Sequence, residues 1–321
     1  MIMIIIFVSL LMWRRSLLTA LICLATLGSL VSCSQNRQDT KEEVKIVATF
    51  LPVYLFTRGV TGDIPVEILI TPNKEVHDYQ ATPGNARTVA EANILVKNGL
   101  GIEEFLEKLI GGNSQLTQID ASEGIEPLSE EEDEEEGEHE HHHEEGEHEH
   151  HHEEGDPHVW LDPVLAQKQV TNIRDGLIAA NPANEETYRT NGDAYIAQLQ
   201  ELDREFAAKL ASVKGCKFMV FHDAFAYLAQ RYGLEQIAIL GIPEENMTPA
   251  DIQKVLKLAN TNQVKVFLAE PGVEDKRLEQ IAKESGLPVE TLDPLESGET
   301  DPQYYFRVMK QNLASLEKAC K

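Results

Sequence analysis

Basic residues are scarce in this chain. Only 28 Lys and Arg stand against 54 Asp and Glu, a formal net charge of −26. That balance excludes nucleic acid and an anionic membrane surface as partners of the folded chain. The shortage is local: Ser129 to Asp156 holds sixteen acidic residues and no Lys or Arg, and setting it aside leaves about −10, an ordinary acidic globular charge. The same stretch lacks apolar residues that could enter a core, so disorder is expected over residues 129–155. Outside it the chain has neither an HExxH helix nor a G-x-S-x-G nucleophile elbow, which argues against an enzyme, a zinc-dependent hydrolase included.

Cysteine is rare too, with four in the chain. Two lie in the first 33 residues, where a basic pair (Arg14-Arg15), an apolar run and Leu30-Val31-Ser32-Cys33 read as a secretory signal. Its end resembles a bacterial lipobox, with Cys33 as the lipidated residue. The apolar stretch before Met12 precedes the charge, so translation is expected to start at Met12. Residues 34–43 read as a polar tether. Cys216 and Cys320 then remain as an even pair in an oxidising compartment and read as a disulfide. The loop it would close, about a hundred residues, is worth up to roughly 4–5 kcal/mol on the chain-entropy model.

From Val44 onward, short β-branched runs alternate with helical patterns: strands at 44–50, PVEILI, ILVKNG and QLTQID, with helices between them. Thr82 and Pro83 open one of those helices. Asp162-Pro163 opens another through Ala180, and Asn181-Pro182 breaks it. A long helix follows, with Tyr195, Leu199, Leu202, Phe206 and Leu210 as one apolar stripe. The alternation then restarts with KFMVF, LEQIAIL, VKVFLA and PVETL. Such alternation predicts an α/β fold of two lobes, each a four-stranded parallel sheet flanked by helices, joined by one long helix. The expected boundaries are 44–181 for the first lobe, 182–213 for the linking helix and 214–321 for the second lobe.

Eight of the eleven histidines crowd into a nine-residue unit written twice between Gly137 and Gly155: His139, His141, His142, His143, His148, His150, His151 and His152. The other three stand alone. His77 follows the second strand of the first lobe, His158 follows the acidic tract, and His222 follows the first strand of the second lobe. Ligands of open α/β sheets bind beyond the carboxyl ends of strands, and Asp293 ends another strand there. Three imidazoles and a carboxylate make a good tetrahedral Zn²⁺ shell, although imidazole also suits Cu, Ni and Fe. A chain that must lose conformational entropy to chelate binds more weakly than a preformed site. The repeat is therefore expected to supply several weaker zinc sites that gather metal or sense its excess.

The segments HDYQATP, DPHVWLDP, FHDAF, FLAEPGVEDK and TLDPLE together resemble the solute-binding proteins of bacterial zinc uptake ABC transporters, the ZnuA-type branch of the metal-binding receptors. The resemblance runs from about Val44 to Lys321. It implies metal held in the cleft between the lobes by His77, His158 and His222, with Asp293 as the fourth position. It also implies an extracytoplasmic monomer, lipid-anchored, that captures Zn²⁺ for an ABC permease and its ATPase. Manganese-binding relatives carry a carboxylate where this chain has His222, which favours zinc. Some zinc members have an acidic residue directly before the first histidine. This chain has Val76 there and Glu75 one step earlier, so the fourth position is Asp293, water or open. Asp78, Asp162 and Asp223 could orient imidazoles or, for the last two, cap helices. A receptor for another divalent metal and a metal-buffering surface adhesin are the remaining alternatives.

Overall fold

The computed structural model describes residues 44–72, 74, 76–128, 155–239, 248–271 and 276–321. The signal segment with Cys33, the tether, Glu75 and all eight histidines of the repeat lie outside the described residues.

The first lobe runs β1 (Ile46–Ala48), α1 (Leu51–Thr61), β2 (Val66–Ile68), α2 (Pro83–Glu91), β3 (Ile94–Lys97), α3 (Glu107–Ile110) and β4 (Thr117–Asp120). Its strands pair in parallel in the order β2-β1-β3-β4, with Ile46 opposite both Val66 and Ile94. After α4 (Pro163–Ala180) and α5 (Glu185–Leu210), the second lobe runs β5 (Lys217–Val220), α6 (Ala226–Tyr232), β6 (Glu235–Ala238), α7 (Pro249–Thr261), β7 (Val266–Ala269), α8 (Lys276–Ser285), β8 (Val289–Thr291) and α9 (Tyr304–Ala319). Its order, β6-β5-β7-β8, repeats that of the first. The central strands are apolar apart from a lysine at one end of β3 and of β5, as suits strands covered on both faces: Ile94, Leu95 and Val96 are buried, as are Phe218, Met219 and Val220.

Helix boundaries follow local chemistry. Thr82 caps α2 and Thr248 caps α7, each in a reciprocal capping box with a proline in the first turn. Asp162 caps α4 through Val164 N at 2.8 Å, and Gly286, at φ +72°, ends α8. Two helices are shorter than their sequence pattern. The GIEEFLEKLI segment gives only a 3-10 turn over Glu104–Leu106 and one turn of α3. Its Glu103 side chain turns inward to accept from Thr49 Oγ1 (2.6 Å), Asn98 N (2.6 Å) and Gly99 N (3.0 Å). In the second lobe α6 starts at Ala226 rather than His222, because Phe225 N donates to Gln236 Oε1 at 2.7 Å instead of opening a helix at the strand end.

The 26 residues of α5 span about 39 Å at 1.5 Å per residue. Their buried stripe of Tyr188, Tyr195, Leu199, Leu202, Phe206 and Leu210 belongs to a hydrophobic core that also takes in α1, α4 and α9. One apolar core thus runs through both lobes along this helix. The disulfide is present, with Cys216 before β5 bonded to Cys320 just past α9. Among the described residues no helix is long and apolar enough to cross a membrane.

Candidate metal centre

His77 stands in the loop after β2 between two anchors. Val76 is buried. Tyr79 meets Phe105 edge-on at 5.1 Å and donates its hydroxyl to Asn85 Oδ1 at 3.0 Å. His158 precedes the 3-10 turn Val159–Leu161, all three residues of which are fully buried. Trp160 of that turn donates Nε1–H to Pro294 O (2.8 Å), and its carbonyl accepts from Tyr305 (2.7 Å). His222 lies two residues beyond β5. The three rings gather with centroids 4.9–5.2 Å apart.

The carboxylate among them belongs to Glu296. One nitrogen or oxygen from each of His77, His158, His222 and Glu296 lies within 4.8 Å of every other. Glu296 Oε1 is 3.3 Å from His77 Nε2, 3.6 Å from His158 Nε2 and 3.8 Å from His222 Nε2, and the first two nitrogens are 3.3 Å apart. Ligands at 2.0–2.1 Å on a tetrahedron stand about 3.3–3.4 Å apart, so the donor set fits a small cation with slight contraction. Asp293, the expected fourth position, is outside this group. Its Oδ1 accepts from Leu295 N at 2.7 Å, and its backbone is held on both sides by Asn312. Asp293 forms the turn, Leu295 at φ +65° is buried as its apex, and Glu296 is thereby carried into the cleft.

Carboxylates also back two of the rings. Asp156 Oδ1 accepts from both the backbone N (2.9 Å) and Nδ1 (2.7 Å) of His158. Glu270, the residue after β7, holds His222 Nδ1 at 2.9 Å. Burial alone would lower the His158 pKa, but Asp156 and Glu296 push it up to about 9. His222 is raised likewise, burial being outweighed by Glu270 and Glu296. For Glu296 burial acts upward and the imidazoles pull its pKa down to about 2. Burial, with Glu270 and Glu296 close by, raises Asp293 to about 6.

The other acidic residues singled out in the sequence lie elsewhere. Asp162 caps α4 and pairs with Arg231 at 2.7 Å. Asp223 accepts from Gln236, and Asp78 lines a polar cleft of about 750 Å³ beside His77. Sequence reasoning passed over Asp156, Glu270 and Glu296, although each had a signal. Asp156 opens DPHVWLDP, Glu270 sits at a strand's carboxyl end, and Glu296 closes TLDPLE.

The acidic insertion leaves and re-enters the fold beside His158. Asp156 N donates to Leu128 O (3.0 Å), Leu128 N donates to Tyr227 Oη (2.9 Å), and that hydroxyl donates to Asp156 O (2.6 Å). Gly155 is tight against this neck: a Cβ there would stand 2.4 Å from Leu128 O.

Two α/β lobes along one helix, with an imidazole-rich ligand set in the cleft, define a two-lobed binding protein built around a metal site. Residues 46–319 match the family described as zinc-uptake complex component A, periplasmic, and the chain belongs to that family. It is 36% identical over 319 residues to the zinc-binding lipoprotein AdcA of Streptococcus pneumoniae R6, covering 96% of this chain but 61% of that protein, so it spans about three fifths of that relative's length. It is also 36% identical to the high-affinity zinc uptake system protein ZnuA of Bacillus subtilis 168, over 89% of this chain and 91% of that protein. The Zn(II)-bound ZnuA-like domain of S. pneumoniae AdcA superposes with a TM-score of 0.73 at 32% identity, over 87% of this chain and 99% of that one.

Proposed function

We propose that this protein captures Zn²⁺ outside the cytoplasm and delivers it to an ABC permease for import. The observation that carries this reading is the convergence of three Nε2 atoms and Glu296 Oε1 in the inter-lobe cleft. His77, His158 and His222 are the imidazole ligands and Glu296, in place of Asp293, is the fourth. Three nitrogens with one carboxylate suit zinc, whereas Mn²⁺ prefers more oxygen. Four protein donors close the shell, while catalytic zinc keeps a position open for water; this supports carriage rather than hydrolysis. The membership of the zinc-uptake family and the names of its relatives support the same cargo.

The chain is anchored through Cys33 on the outer face of the cytoplasmic membrane and works as a monomer with the permease and its ATPase. The eight histidines of the repeat add weaker zinc sites beside the tight one. A competitive zinc titration of the mature protein and of its His77→Ala, His158→Ala, His222→Ala and Glu296→Ala variants tests the reading. Each variant is expected to lose tight binding. Deleting 130–154 should leave one tight site and a lower total stoichiometry, and undiminished affinity in all four substitutions would end the proposal.

A further inference from the structure

We propose that Asp156 and Glu270 are positioning residues for the zinc site, each setting one imidazole to present Nε2 to the metal and strengthening it as a donor. This rests on the zinc reading of the cluster and goes beyond it.

A neutral imidazole has one N–H and one lone pair, and the hydrogen bond made by one nitrogen decides which of them the other offers. Here Asp156 Oδ1 faces Nδ1 of His158, and Glu270 Oε1 faces Nδ1 of His222. Both rings are therefore held as the Nδ1–H form, and both direct Nε2 toward Glu296. A carboxylate accepting from Nδ1–H also raises electron density on the ring, so the metal meets a better donor. His77 differs: among the described residues no carboxylate holds its Nδ1, and its Nε2 faces Glu296 and His158.

The two carboxylates are themselves fixed by different means. Asp156 is buried and pinned through its backbone by Leu128 and Tyr227. Glu270 projects from the end of β7, whose register with β5 places it across from His222. They come from distant parts of the chain and act on different rings, so their effects separate by mutation.

The test uses the full mature protein with Asp156→Asn and Glu270→Gln. Each amide keeps an oxygen that accepts from Nδ1–H and nearly the same shape, but removes the charge. Zinc affinity is expected to fall about tenfold to a hundredfold for each, the range for a ligand's outer partner. Glu270→Gln should have almost no further effect on zinc affinity in a His222→Ala background and its full effect in a His158→Ala background. Asp156→Asn should show the mirror pattern. Nitrogen-15 NMR of the zinc-loaded protein should report His158 and His222 protonated at Nδ1. Unchanged affinity in both single variants, or equal penalties in both histidine backgrounds, would overturn the proposal. Should Asp156→Asn fail to fold, Glu270→Gln decides, since its side chain is 35% exposed. Failure of the zinc reading looks different, because the histidine variants would then bind like the parent.

Discussion

The two lobes share a strand order and part ways at the same point of it. In both, the central strands are the first and third of the lobe, and the crevice at their carboxyl ends is where such sheets hold ligands. In the first lobe that crevice is closed. Glu103 fills it, satisfying Thr49, Asn98 and Gly99, and is 6% exposed. In the second lobe the equivalent place holds His222 and Glu270, whose side chains are 24% and 35% exposed and face the cleft. One topology thus yields a plug or half a metal site. The deciding step is whether the loop turns its carboxylate back onto strand-end donors or leaves it free to hold an imidazole.

The largest effect expected from breaking this comparison concerns a crosslink that only the second lobe carries among the described residues. Replacing Cys216 and Cys320 by Ala removes a bond across 104 residues of sequence and should cost up to about 4–5 kcal/mol. Hydrogen exchange should accelerate more in β5 and β6 than in β1 and β3; equal acceleration would mean the lobes open together. Next is Glu103→Ala, which strands three buried donors and should lower stability by about 3 kcal/mol, read from chemical denaturation. His222→Ala should do the opposite. Stability should move by less than about 1 kcal/mol, while zinc affinity drops more than about a hundredfold, since a ligand outweighs its outer partner. A His222→Ala protein as unstable as Glu103→Ala would erase the contrast.

A pH series sharpens the same point with a smaller signal. In the metal-free protein, His158 is raised to about 9, so its contribution to stability is complete below pH 6.5 and fades as pH rises through 9. Glu296 is depressed to about 2, so its share is present above pH 4.5 and fades as pH falls through 2. Zinc replaces the protons on these rings, so zinc binding at pH 7 should release protons and weaken toward pH 5. Melting temperatures of zinc-free protein should fall between pH 6.5 and 9 while those of the zinc-loaded form hold. Glu103, pushed up to about 7 by burial against its three donors, contributes to both forms and cancels in their difference. The smallest expected effect is Gly155→Ala. The added methyl meets Leu128 O and should cost about 1–2 kcal/mol in thermal melts.

Much of the fold was legible because its signals are local. Alternation of short apolar runs with helical stripes announced eight parallel strands, and Thr82 and Asp162 marked helix starts where the structure has them. The placing of His77 and His222 was legible from a rule about strand ends, while His158, which follows no strand, was legible only through the resemblance carried by DPHVWLDP. The exchange of Asp293 for Glu296 was not, because both carboxylates sit in the same short loop. Which one faces the cleft depends on Asn312 of α9 and Trp160 of the first lobe, contacts far away in sequence. Glu103 was hidden for a related reason: its helical pattern is sound, and only three donors from neighbouring strand ends turn it inward.

The neck formed by Leu128, Asp156 and Tyr227 makes the acidic insertion a cartridge in a socket. Its two ends meet in one backbone hydrogen bond, and a hydroxyl from the opposite lobe fastens both. The rest of the molecule therefore experiences 27 inserted residues as a single fixed junction. A third copy of the nine-residue unit would add only about 0.3 kcal/mol of closure entropy. Copy number can thus drift between lineages, or be rewritten with a fluorescent or affinity tag, without retuning the cleft next door.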